Sequence, residues 1–521
     1  MRLSQILEGC EINTSYEDTE ITGIASDSRA VKEGNLFICV KGGRFDGHDF
    51  AAEAIQKGAS VILAEKIPEG TDAEKVILAG DTRLAESLAW YNFYGKPAER
   101  MTKIAVTGTA GKTSTVFIMR HILSAVGRRV GIITTIRAMS GERILPLGEH
   151  GGSSVVDLYG AMTTPDPEFF WYAVSEMQKD GCDTLIYEAS SQSILRKNTA
   201  AIVPDIAVYT NLSEEHLDAH GTMENYFAAK AELLRGVKKA VINIDDEWFK
   251  ALPQMYPDCD FVKISAHPGK VGECDVCALR YRSHGEDGIE YVYFSDKAVF
   301  RVMSPQIGFY SVYNTIEAAA CALSLGADPM TVQEALADMD GIDGRMYRIQ
   351  CRYTMDVSKN KKIRELPGVF IDYAHTPRAL SSACKALYSI KKEKSKAGSR
   401  LIVLFGCGGD RDKNKRPMMA KAAQEYADFT IITGDNPRSE DPADIIDDIL
   451  SGIDKTKPYI VIPDRRAAIK YAVTASGGGD IILLAGKGHE KYEITRDGMK
   501  PFDEEQIVRD AFSEKIQNNI K

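Results

Sequence analysis

Apolar positions along the chain fall into two repeating series. Short β-branched runs at Ile104–Thr107, Thr184–Tyr187, Ile206–Tyr209 and Ala240–Ile244 alternate with longer stretches of helical spacing. That alternation predicts a parallel α/β sheet. A second series begins after GIDGRMYRI, with runs at Val369–Ile371, Leu401–Phe405, Phe429–Thr433, Tyr459–Ile462 and Ile481–Leu484. These predict a second, doubly wound unit. Each runs into a polar or Gly-rich turn, namely DYAHTP, GCGGDRD, GDNPR, PDRR and AGKGHE. In open α/β sheets the turns at the carboxyl ends of strands form the ligand crevice. Ahead of both series lies a smaller α/β region whose turns SDSRAV and KGGRFDGHDF also suggest binding.

Composition adds boundaries. At 521 residues the chain exceeds what one core supports, and about three domains are expected. The 44% hydrophobic and 26% charged fractions belong to a soluble globular protein. A net charge of −10 argues against a nucleic-acid partner, which needs clustered Lys and Arg, so an anionic substrate must be met locally. No apolar run approaches the ~18 residues needed to cross a bilayer, and the N-terminus lacks the basic start and apolar stretch of a signal peptide. A cytoplasmic protein without membrane insertion is expected. The ten cysteines are too dispersed for a disulfide framework and are expected as free thiols. The spacing of Cys274 and Cys277, with Cys259 and His267 upstream, admits a zinc site. The segment ECDVCALRYRSHGEDGIEYVYF alternates like a strand pair with a Gly-containing turn, so strand positions are the preferred reading.

The strongest chemical signal is GTAGKTST, between a strand and the helical pattern VFIMRHILSAVG. Gly108, Gly111, Lys112 and Thr113 form a phosphate-binding loop: backbone N–H groups and a helix N-terminus cradle phosphates, Lys112 neutralises them and Thr113 can hold magnesium. Val106 stands where the longer form of this loop has its first glycine. A nucleoside triphosphate is the expected ligand. Glu188 closes the strand TLIYEASS near those phosphates, where a carboxylate can hold a metal ion; the alternative is a solvated strand end. Downstream, TNLSEEHLDAHGTMENYFAAKAELL places two histidines and a lysine on an otherwise apolar helical face, which packing alone does not explain.

The segments TGTAGKTST, TNLSEEHLDAHGTMENYFAAKAEL, GRMYRI, DYAHTPRAL, FGCGGDRDKNKRP, DNPRSEDP and GKGHEKY, in this order, resemble the signatures of the Mur ligase family, MurE type. DSRAVKEGNLFICVKGGRFDGHDF is similar to that family's uridine-nucleotide region. The resemblance implies three domains: a small N-terminal UDP-substrate-binding α/β domain over residues 1–97, a central P-loop ATP-binding parallel sheet over 98–345, and a C-terminal Rossmann-like doubly wound sheet over 346–521 that takes the amino acid. The activity implied is ATP-dependent amide ligation in peptidoglycan precursor synthesis, in which meso-diaminopimelate is added to UDP-N-acetylmuramoyl-L-Ala-D-Glu through an acyl phosphate, by a monomer.

Carried over by position, the resemblance implies ATP contacts from Gly108, Thr109, Gly111, Lys112, Thr113, Ser114, Asn314, Arg345 and His375. Magnesium would be held by Thr113, Glu188, His216 and Lys230, the last as a carbamate; Lys112, Glu188, His216 and Lys230 make up the catalytic set. Acceptor contacts fall on Ser28, Thr163, Thr164, Ser190, Arg196 and Asn198. Diaminopimelate contacts fall on Arg411, Asp435, Asn436, Arg438, Gly486 and Glu490. Arg438 supplies a physical reason for that amino acid, since a guanidinium can grip the distal carboxylate that lysine lacks.

The chain also departs from the pattern. EASSQSILRKN replaces the family's EVSSHAL segment, with Gln192, Arg196 and Asn198 at positions facing the acceptor. Ser311 and Ala110 stand where asparagines are common, and an insertion-like stretch, MSGERILPLGEHGGSSVVDLYG, precedes Thr163. These changes leave the phosphate chemistry intact and bear on the acceptor. A related ligase with another acceptor or with L-lysine, or a non-catalytic nucleotide-binding protein, are the competing readings.

Overall fold

A computed structural model describes residues 1–42, 45–146, 163–349, 366–394 and 398–520. Residues 147–160 of the insertion-like stretch lie outside the described residues. The chain divides into two compact units: residues 1–277 with 316–332, and residues 278–315 with 333–521.

The first unit opens with four parallel strands in chain order, Gly23–Ala25, Asn35–Ile38, Val61–Ala64 and Val76–Leu78. Its larger sheet is centred on Thr102–Thr107. That strand is flanked by Thr184–Glu188 and then Val130–Ile133 on one side, and by Ile206–Tyr209, Lys239–Asn243 and Asp260–Ser265 on the other, all parallel. The run expected at Ala240–Ile244 is thus a strand displaced by one residue. Consecutive positions along these strands are buried, so both faces of the sheet are covered there. Chain order reverses around Thr102–Thr107, and the loop that follows it opens at this switch point. One core joins the four-stranded part to the larger sheet: Tyr91 of the helix Thr82–Phe93 packs on Trp171, whose Nε1 donates to Ser87 Oγ at 3.3 Å.

The second unit contains the antiparallel pair Ile289–Ser295 and Val299–Ser304 and a six-stranded sheet. Sheet order is Tyr347–Arg348, Gly368–Asp372, Ile481–Ala485, Leu401–Phe405, Phe429–Ile432 and Tyr459–Val461, with the first strand antiparallel and the rest parallel. The period of two sorts its apolar residues onto two faces: Phe370, Leu401, Val403 and Leu483 enter one core, and Val369, Ile402, Leu404 and Leu484 the other. That is the doubly wound sheet expected from sequence. Cys277 lies in the strand Val276–Ser283, as the alternation predicts, its Sγ donating to His267 O at 3.5 Å, whereas Cys274 stands ahead of that strand, contrary to the expectation, its Sγ donating to Lys270 O at 3.3 Å. No cluster of three or more His, Cys, Asp or Glu suited to a metal occurs among the described residues, and no described helix is long and apolar enough to cross a membrane.

Candidate active site

The loop after Thr107 is shaped by glycine and pinned by its neighbour strand. Gly108 has φ +144°, and a Cβ there would sit 2.0 Å from Thr210 Oγ1, so both conformation and space exclude a side chain. Gly111, at φ +86°, starts the helix Lys112–Ala125, four residues ahead of the expected pattern. Thr109 N donates to Asn211 O at 2.7 Å, Ala110 N to Asn211 Oδ1 at 3.0 Å, and Thr210 Oγ1 to Ala110 O at 2.7 Å. Asn211 is therefore the loop's scaffold, a role not legible in the sequence although Asn211 lies in the TNLS turn just after the adjacent strand. Lys112 Nζ folds back onto Gly108 O and Thr109 O, both at 2.9 Å. The helix N-terminus and this cation make a receptor for anionic phosphate.

Glu188 is fully buried, which excludes the solvated strand end. Its Oε1 accepts from Thr113 Oγ1 at 2.8 Å and Thr135 N at 3.0 Å, and its Oε2 from Thr135 Oγ1 at 3.0 Å. Thr135, not singled out in the sequence, thus helps to hold a buried carboxylate beside the first turn of the loop helix. The backbone of Glu188 collects several residues expected at the acceptor. Thr164 Oγ1 donates to Glu188 O at 2.7 Å and accepts from Ser190 N at 3.0 Å. Ser190 caps the helix Ser191–Leu195, and Asn198 Nδ2 donates to Pro165 O at 3.0 Å. Thr163 precedes this cluster and is half-buried, Arg196 ends the helix as an exposed residue, and Ser28 is buried in the four-stranded part, its carbonyl accepting from Lys57 Nζ.

The stretch carrying His216 and Lys230 is two helices, Leu217–His220 and Met223–Ala231, broken at Gly221 with φ +76°. This corrects the single helical face expected from sequence. Tyr226 reunites the residues: its ring lies 4.8 Å from Lys230 Nζ and 6.2 Å from the His216 ring, and its hydroxyl meets Thr109 Oγ1 at 3.2 Å. Lys230 is 1% exposed and its Nζ donates to Gly108 O at 2.9 Å. Burial, reinforced by the nearby Lys112 charge, holds its ammonium well below the ordinary lysine range. His220 Nε2 lies 2.9 Å from Ser191 Oγ and so ties this segment to the Ser190 turn.

Acidic groups gather where the helix Pro167–Lys179 begins. Burial, and then the Asp166 and Glu168 charges against the hydrogen bond from Ser26, push Glu86 up to about 7 from 4.5. A carboxyl raised on folding costs nothing below the unfolded value and destabilises increasingly as pH climbs to the folded one. Glu86→Gln is therefore expected to stabilise the protein by about 3 kcal/mol at pH 8 and by little near pH 4.5, read by denaturant unfolding at the two pH values.

In the second unit, the expected nucleotide and amino-acid positions separate into two groups. Arg345 lies 4.7 Å over the Tyr373 ring, and His375 Nδ1 is 2.9 Å from Tyr373 O, so Tyr373 brings these two together. Asn314 is buried in the helix Tyr310–Ser324. The second group forms from strand-end turns. Asn436 Nδ2 donates to Glu490 Oε2 at 2.7 Å, and Asn436 Oδ1 accepts from Lys487 Nζ at 2.8 Å. Gly486, at φ +112°, leaves room for Asp435, whose Oδ2 lies 2.7 Å from where a Cβ would stand. Arg438 Nη1 donates to Gly409 O at 2.8 Å, and Arg411 lies beside it. Burial and then the Arg438 charge lower the Arg411 guanidinium, so two cations share one place, which favours an anion there. Burial and then the Asp435 charge push Glu490 up to about 7; against burial, Lys487 and Arg465 hold Asp435 low. Lys487, fully buried at the centre of this network, was missed; its signal was the lysine of GKGHE.

Family models match three stretches of the chain: the Mur ligase middle domain at residues 106–322, the Mur ligase glutamate ligase domain at 358–488, and the Mur ligase family catalytic domain at 20–83. The chain is 35% identical to the UDP-N-acetylmuramoyl-L-alanyl-D-glutamate–2,6-diaminopimelate ligase of Syntrophomonas wolfei, over 99% of this chain and 100% of that protein. It is 36% identical to the Geobacillus kaustophilus protein of the same name, over 95% and 96%. A solved structure of a ligase of that name covers 99% of both chains at 29% identity with a TM-score of 0.66. MurF of Thermotoga maritima, solved with ADP, shares the fold at 19% identity, covering 95% and 98%, with a TM-score of 0.58.

Proposed function

Since the chain belongs to the Mur ligase family, we propose that it is the ATP-dependent ligase that adds meso-diaminopimelate to UDP-N-acetylmuramoyl-L-alanyl-D-glutamate. The observation that carries the amino-acid assignment is the paired guanidinium groups of Arg411 and Arg438 beside the Asp435, Asn436 and Glu490 network, in a chain matched along its full length by ligases of that name. The guanidinium pair suits the distal carboxylate, and Glu490 a distal ammonium. We assign residues 1–97 to the uridine nucleotide, 98–345 to ATP and 346–521 to the amino acid, and place the enzyme in the cytoplasm, where its substrates are soluble.

In this reading Lys112 releases the loop carbonyls to meet the γ-phosphate. The acceptor carboxylate, gripped from Ser28, Thr163, Thr164, Ser190, Arg196 and Asn198, attacks the γ-phosphorus and ADP leaves; the amine then attacks the acyl carbon and phosphate leaves. Arg345, His375 and Asn314 are assigned as further nucleotide contacts. The oxygens of Thr113 and Glu188, hydrogen-bonded to each other, fit a hard cation, whereas Lys230 as an amine does not. As a carbamate it does: the neutral amine that burial favours adds carbon dioxide and releases a proton. Thr113, Glu188, His216 and the Lys230 carbamate would hold magnesium, which when bound offsets the charge of the phosphates.

ATP-dependent transfer of radiolabelled diaminopimelate to the UDP-muramoyl dipeptide tests the assignment directly. Arg438→Ala should weaken diaminopimelate use at least tenfold, because a charged hydrogen bond contributes about 1.5 to 3 kcal/mol, and should leave the KM for ATP unchanged. An unaltered preference for diaminopimelate over lysine in that variant removes Arg438 from the role. A second reading, a ligase with another acceptor, is favoured by the exposed Gln192 and Arg196 of EASSQSILRKN; dipeptide-independent turnover with a different nucleotide acceptor would establish it.

A further inference from the structure

We infer that Arg465 is a positioning residue for the amine-binding turns, holding in place two strand ends that the sheet cannot tie to each other. The inference rests on the amine site proposed above. Asp435 and Asn436 follow the strand Phe429–Ile432, and Gly486 to Glu490 follow Ile481–Ala485. In the sheet these two strands are separated by Leu401–Phe405, so no backbone ladder links one turn to the other. Yet the site needs them in register, since Asn436 must reach Lys487 and Glu490.

Arg465 spans the gap. It is 2% exposed, and it begins the helix Arg465–Thr474. Its Nη1 donates to Gly434 O at 3.2 Å, one residue before Asp435, and its Nη2 to Ala485 O at 2.9 Å, one residue before Gly486. Its Nε donates to Glu504 Oε1 at 2.7 Å, on the first residue of the helix Glu504–Ile520, and the Glu504 side chain is itself 2% exposed. A rigid planar fork with a fixed charge partner thus reads the spacing of two carbonyls. Breaking a buried pair of this kind leaves the remaining charge unmatched, so the geometry is enforced. The hydrogen bonds of Arg465 go to Gly434, Ala485 and Glu504, all in the amine-binding unit, so their failure should fall on one substrate.

In the full-length enzyme, Arg465→Lys offers one nitrogen to three acceptors. The KM for diaminopimelate should rise at least tenfold, while the KM for ATP and the affinity for ADP stay within twofold. Glu504→Gln keeps an oxygen acceptor for Nε and should raise that KM less than threefold; Glu504→Ala, which removes it, should raise it more. A diaminopimelate KM within twofold of wild type in an ADP-binding Arg465→Lys protein overturns the inference, as does an equal rise in the KM of all three substrates. Should Arg465→Lys not fold, equal diaminopimelate KM values for Glu504→Ala and wild type overturn it instead. If the wild-type enzyme uses an amino acid other than diaminopimelate, the substrate assignment fails, and the same comparison made with that amino acid still decides the role of Arg465.

Discussion

Lys112→Ala should abolish ligation, with turnover falling by about 10³-fold or more, while the thermal midpoint moves by only a few degrees. Lys112 is the cation of the loop, and the transferring phosphoryl group gathers charge that no neutral side chain at this position can offset. Its partners include carbonyls of its own loop, Gly108 O and Thr109 O, so removing it takes half-buried hydrogen bonds from the loop rather than from the core. The loop itself stays pinned by Asn211 and Thr210. Circular dichroism melting separates a fold effect from a chemical one, and phosphate release under saturating ATP reads the chemistry. Near-normal turnover would sink the assignment of this loop to ATP.

Lys230→Ala should lose about 10²- to 10³-fold in turnover, and short-chain carboxylic acids such as acetate or propionate should restore part of it. The substitution opens a space walled by the Tyr226 ring and Gly108 O, where a small carboxylate can take the place of the proposed carbamate. Rescue by acids and not by alkylamines distinguishes the carbamate from an ordinary lysine, since an amine would restore the latter. Full activity without rescue would dismiss the carbamate.

Much of the fold was legible because its strands are short continuous apolar runs, and Leu401–Phe405 and Ile206–Tyr209 fall where the runs do. The turns after them were legible for the same reason, since the apolar runs stop ahead of Gly108 and ahead of Asp435. What escaped were pairings across the chain. Thr135 joins Glu188 over a separation of 53 residues, and Asn436 meets Lys487 over 51; no local spacing encodes either. Tyr226 reads as one more aromatic on an apolar helix face, and only the break at Gly221 reveals that it stands between His216 and Lys230. The break itself was concealed by helix-compatible residues on both sides of a single glycine.

The turns GCGGD and DNPR interlock tightly: a Cβ on Gly409 would stand 1.9 Å from Pro437 O, and one on Gly408 would stand 2.7 Å from Arg438 Nη1. For protein engineering this fixes the smallest transplantable cassette. Exchanging residues 435–438 alone, to retarget the enzyme to another diamino acid, would set a foreign turn against a glycine track fitted to the old one. A chimaera must exchange residues 406–411 together with 435–438, two segments that the chain encodes apart and the folded protein uses as a single part.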